Sequence, residues 1–118
     1  MTQTDTLIYK VTTLALWQRA EAEGVLPKSP VDETDGYMHF STAGQLRETL
    51  RRYFAGQGDL VLCVVPAAAV ADALEWEPSR GGALFPHVYA PLPLSAVSEH
   101  HALAVNVDGS CALPEGIA

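Results

Sequence analysis

The chain has 118 residues, 48% of them hydrophobic, with a formal net charge of −7 and a pI near 4.8. That length and apolar content suit one globular domain, residues 1–118, with a core of its own, and the acidity argues against an extended nucleic-acid surface held by phosphate neutralisation. No apolar run reaches the roughly 20 residues of a membrane helix. The N-terminal MTQTDTLIYK lacks the basic and apolar parts of a secretory signal, so a cytoplasmic protein without a membrane partner is expected.

In chain order, LIYKV at residues 7–11 is rich in β-formers and reads as a first strand. Thr12 or Thr13 caps a helix running to about Glu23, with Leu14, Trp17 and Ala20 as its inner stripe and Gly24 as its stop. VLPKSPVDETDG reads as a proline-rich, acidic connection, long enough to suggest a functional loop. GYMHFS then reads as a strand, followed by Thr42 as a helix N-cap with Gln45 at capping-box spacing. Leu46, Leu50, Tyr53 and Phe54 repeat at helical period up to Gly56. DLVLCVV at 59–65 is apolar on both faces, the pattern of a covered central strand with Cys63 as core filler, and no disulfide is expected. A short helix after Pro66, a strand at LEWE (74–77), a loop at SRGGALFP and a strand at HVYA complete the middle. AVSEHHALAVNVDGSCALP reads as a strand, a turn at Asp108–Gly109 and a short return strand. Strands mixed with two main helices, without regular β-α-β alternation, give an α+β class.

Two segments carry the chemistry. In an extended GYMHFST, Tyr37, His39 and Ser41 share one face and Met38 and Phe40 the other. His39 and Ser41 then sit where a strand enters a helix N-terminus, whose free N–H groups favour an anion, and Thr42 can combine capping with ligand contact. In EWEPSRGGALFPHVYAPLP, Glu75 and Glu77, Arg80, paired glycines, His87 and Tyr89 occur together, a combination of carboxylates, guanidinium and imidazole suited to a polar site. His100 and His101 are adjacent and point oppositely on a strand, and neither HExxH nor CxxC is present, so no metal site is expected. GxSxG and a P-loop are also absent.

The succession IYK, DGYMHFST, RRYFAGQGDLVL and EWEPSRGGALFPHVYAPLP resembles a family of small bacterial proteins, the domain of unknown function 952, from about Leu7 to the last predicted strand. The resemblance implies an ADP-ribosyltransferase-like fold: a split, curved, mixed α+β sheet that clasps NAD in its enzymatic members. It also implies a cleft for a small molecule, NAD or another nucleotide. His39 matches the strand-end histidine of the RNA 2′-phosphotransferase branch, whereas Tyr9 and Lys10 stand where enzymatic relatives carry a first-strand histidine. In a transferase reading, His39, Glu77 and His87 are the catalytic candidates, with Glu77 stabilising an oxocarbenium-like centre. Lys10 or Arg80 holds a pyrophosphate, His39 and Ser41 hold a ribose, and Thr42 and Tyr89 complete the lining. The alternatives are a non-catalytic small-molecule binding module and a protein-interaction domain that uses an apolar surface such as PLPL. The ligand readings require His39 and His87 to face one pocket.

Overall fold

The computed structural model describes residues 6–117, with the Arg80 side chain outside that description. It is an α+β structure of antiparallel sheets with few helices. Strand β1 (Leu7–Thr13) pairs antiparallel with β4 (Leu60–Pro66) from Leu7 opposite Pro66 to Thr13 opposite Leu60, and β8 (Glu99–Leu103) lies on the other side of β4. Six of the seven β4 residues are buried, which is why the segment is apolar at every position. Its side chains alternate between two cores. Val61, Cys63 and Val65 join Ile8, Trp17, Ala20 and Met38, whereas Leu60, Leu62 and Val64 join Tyr9, Leu46, Leu50 and Leu103. Each fully buried branched side chain contributes about 1.5–3 kcal/mol.

Helix α1 (Leu14–Glu23) starts at Thr13, whose Oγ1 accepts the Leu16 N–H at 3.1 Å, and stops at Gly24 with φ of 82°. Trp17 and Ala20 are buried as their spacing predicts, but Leu14, in the first turn, is exposed. Helix α3 (Ala43–Tyr53) begins with the expected capping box: the Gln45 N–H donates to the Thr42 Oγ1 and the Thr42 N–H to the Gln45 Oε1. A short β2 (Val25–Leu26) pairs with β7 (Leu92–Pro93), and β3 (Met38–His39) pairs with β6 (Leu84–Val88), which pairs in turn with β5 (Leu74–Pro78). The two larger sheets meet at one point, where Tyr9 and Ser41 exchange backbone hydrogen bonds of 2.8 and 2.9 Å.

Two further expectations are corrected. The segment read as an irregular connection contains helix α2 (Pro30–Asp35), started by a Ser29–Asp32 capping box with Pro30 in the first turn. Six residues are too few for an apolar period to register, so the helix depends on caps and tertiary contacts. The chain does turn at Asp108–Gly109, but no return strand follows. The tail lies against α3 instead: the Arg47 Nη1 donates to the Cys111 carbonyl at 3.3 Å, and Cys111, Leu113 and Ile117 pack on the second core. Gly109, at φ of 89°, passes so close to α3 that a Cβ there would lie 3.1 Å from the Arg51 Cα. No helix among the described residues is long and apolar enough to cross a membrane.

One buried carboxylate joins these parts. Asp32 is 0% exposed, and its Oδ2 accepts from the Lys10 ammonium at 2.7 Å and the Ser29 N–H at 3.2 Å. Its Oδ1 accepts the His39 N–H at 3.2 Å and lies 2.7 Å from the His39 Nδ1. Burial by itself would raise the Asp32 carboxyl, but the His39 and Lys10 contacts outweigh it and hold the group well below the usual carboxylate range. Burial pulls the Lys10 ammonium down from the ordinary lysine value, opposed by Asp32. Lys10→Met leaves this carboxylate buried without its cation and is expected to cost about 3–5 kcal/mol in chemical denaturation. Lys10→Met/Asp32→Asn, which keeps an acceptor without the charge, should recover part of that loss. A single variant as stable as wild type would contradict the assignment.

Because Asp32 is depressed in the folded state, its stabilisation is complete above the unfolded aspartate value, about 3.9, and is lost as pH falls toward the folded value. Wild-type unfolding free energy should therefore drop below about pH 4, and less steeply in Asp32→Asn. Parallel pH profiles for the two proteins would show that Asp32 carries none of the acid sensitivity.

Candidate functional site

The alternation expected of GYMHFST is present. Met38 and Phe40 enter the first core, and Tyr37, His39 and Ser41 line a cavity of about 610 Å³ on the other face, with Phe40 also at its wall. His39 is held at both ring nitrogens, Nδ1 by Asp32 at 2.7 Å and Nε2 by the Asp35 Oδ2 at 2.9 Å. Carboxylates only accept, so the ring can donate to both only when it carries two protons. The Ser41 hydroxyl lies 2.9 Å from the Thr49 Oγ1 on α3.

His87 lies directly across the β3–β6 ladder from His39, which brings residues 48 positions apart in sequence into one site. The two rings are 5.7 Å apart, edge to face. His87 is 3% exposed, stacks on Tyr37 at 4.1 Å and is 2.7 Å from the Glu77 Oε1 through Nδ1. The same Glu77 oxygen accepts the Tyr89 hydroxyl at 2.7 Å. Hydrogen bonds from Tyr89 and His87 lower the Glu77 carboxyl, and the Glu77 contact pushes Tyr89 up to about 12. Burial, then the charges of Asp35 and Glu77, also raise Tyr37. With Glu77 accepting the hydrogen bond from the Nδ1–H, the His87 Nε2 is the ring atom left for other partners.

The cavity follows an unpaired length of β1. Tyr9 bonds to Ser41 on the side away from β4, so by the two-residue period the N–H and C=O of Val11 also face away from β4, and they have no partner among the described residues. Side chains from both faces of β1 line the space for this reason, Tyr9 and Val11 from one and Lys10 and Thr12 from the other. Pro30 and Val31 of α2, Tyr53 and Phe54 at the end of α3, and Phe85 supply apolar walls. Lys10 is the only lysine or arginine among the described lining side chains, and its ammonium is engaged by Asp32.

Of the residues singled out in sequence, Lys10, His39, Ser41 and His87 line the cavity. Glu77 and Tyr89 stand behind His87, and Thr42 serves as the α3 cap. The Arg80 side chain lies outside the described residues, although its neighbour Ser79 reaches the cavity. Sequence reasoning passed over Asp32 and Asp35, and it read Thr12 only as a possible helix cap, a role that Thr13 takes. The Ser-Pro-x-Asp spacing at 29–32 was the available signal for Asp32; nothing local marked Asp35.

The family model described as Protein of unknown function (DUF952) matches residues 11–100. The crystal structure of protein CC0527 from Caulobacter crescentus is similar, with 44% identity and a TM-score of 0.85 over 91% of this chain and 94% of that one. A crystal structure of a double mutant of that protein gives 43% identity and the same TM-score and coverage. Its solution NMR structure gives 45% identity and a TM-score of 0.77 over 87% and 89% of the two chains. No curated protein matches the chain. With the model matched over most of its length, the chain belongs to the DUF952 family.

Proposed function

We propose that the cavity binds a nucleotide-type small molecule in an ADP-ribosyltransferase-like cleft. The observation that carries this reading is the shared cavity: His39, His87 and the Tyr37 ring between them line one space of about 610 Å³, within the size range of small-molecule sites. Tyr9, Phe40, Phe54 and Phe85 add aromatic wall suited to a planar ring. The single Tyr9–Ser41 bridge, beyond which the sheets part, supports the split-sheet architecture. Asp35 lines the cavity and the Lys10 charge is already neutralised, so the ring of the ligand enters and its phosphates stay outside, toward the Ser79–Gly82 loop.

Titration with NAD should raise the melting temperature, with about 2.7 kcal/mol of stabilisation at a concentration one hundred times Kd. Tyr37→Ala and His87→Ala should each remove most of that shift while leaving a cooperative transition. Variants with undiminished response would favour histidines that are structural only.

Catalysis is a second reading, favoured by the Glu77–His87 pair, in which the carboxylate holds Nδ1 and leaves Nε2 for the cavity. As a group-transfer enzyme the protein should release nicotinamide from NAD, and Glu77→Gln should slow release by about 10²–10⁴-fold with little change in the thermal response. Binding without nicotinamide release would assign the cleft to a non-catalytic binding module.

A further inference from the structure

The described residues contain five buried polar or charged side chains: Lys10, Thr12, Asp32, Ser41 and His87. Four have hydrogen-bond partners: Lys10 and Asp32 with each other, Ser41 with Thr49, and His87 with Glu77. The exception is Thr12, 3% exposed, whose Oγ1 is buried and has no hydrogen-bond partner. An unsatisfied buried hydroxyl costs about 1–3 kcal/mol. Valine has nearly the same shape, is at least as suited to a strand and would carry no such cost. No hydrogen bond from another described residue offsets that cost.

Thr12 lines the cavity. It shares a face of β1 with Lys10, whose charge Asp32 neutralises, and the residue before it presents the unpaired Val11 edge. We propose that the Thr12 hydroxyl is a specificity contact of the site, forming a hydrogen bond with an uncharged polar group, an amide or a ring nitrogen, on the part of the ligand that enters the cavity. A phosphate is the wrong chemistry there, because no lysine or arginine with unspent charge is among the described lining side chains and Asp35 adds negative charge. A change of χ1 rotamer, a rotation of about 120° between staggered wells, re-aims the hydroxyl without backbone movement.

This inference deepens the nucleotide reading and rests on it, and the test separates the two. Denaturation of the free protein and thermal-shift titration with NAD are measured for wild type, Thr12→Val and Thr12→Ser. Thr12→Val should be at least as stable as wild type, while its NAD affinity falls about tenfold, equivalent to one lost hydrogen bond of about 1.4 kcal/mol. Thr12→Ser, which keeps the hydroxyl, should bind like wild type. A Thr12→Val protein that loses stability would show the hydroxyl to be structural and overturn the proposal. Equal NAD affinity of wild type and Thr12→Val would overturn it while leaving the nucleotide site standing. A wild type that does not respond to NAD removes the nucleotide reading and this contact together.

Discussion

A carboxylate with no exposure to solvent has to have every lone pair met by the protein, and Asp32 organises the structure around that requirement. Its four donors come from three places: the Lys10 side chain on β1, the Ser29 N–H at the start of α2, and the backbone and ring of His39 on β3. Withdrawing any one leaves a charge or a polar group buried and unpaired, which costs more than the contact itself contributes. The position of α2, the height of β3 beside β1 and the orientation of the His39 ring are thus set by one side chain. Asp32 is also the N3 residue of the Ser29 capping box, so a local helix-start device and a long-range ion pair share the same atoms.

The cavity follows from how the sheets are joined. β1 is paired along its full length to β4 but meets the β3 segment only at Tyr9 and Ser41. Past that bridge the strands separate, and the space is closed by α2 on one side and the end of α3 on the other. The result is a concave, largely apolar space beside the unpaired Val11 backbone of β1.

The two histidines occupy opposite positions in the ladder but differ chemically. His39 is held by a carboxylate at each nitrogen, which fixes the orientation of its ring. His87 is almost fully buried, stacked on Tyr37 and held by Glu77 through Nδ1 alone. His39 on β3 is therefore the more constrained of the two, and the freer imidazole is His87 on β6.

Much of this was legible in the sequence, and the reason is local. The doubly apolar DLVLCVV became the central β4, the Thr42–Gln45 spacing became the α3 capping box, and the alternation in GYMHFST put Tyr37, His39 and Ser41 on the cavity side. Each of these depends on periods of two or 3.6 residues or on a cap spanning four positions, which neighbouring residues determine between themselves. The proline-rich segment concealed α2, because a six-residue helix has too few turns for a period and is held by Lys10 and His39 from other strands. The return strand read after Asp108–Gly109 failed because the tail's partners are on α3 and not on its own preceding strand. The opposition of His39 and His87, the neutralised Lys10 and the unpaired Thr12 hydroxyl were decided only by tertiary structure. Each depends on which distant group arrives opposite it, and local spacing carries no record of that.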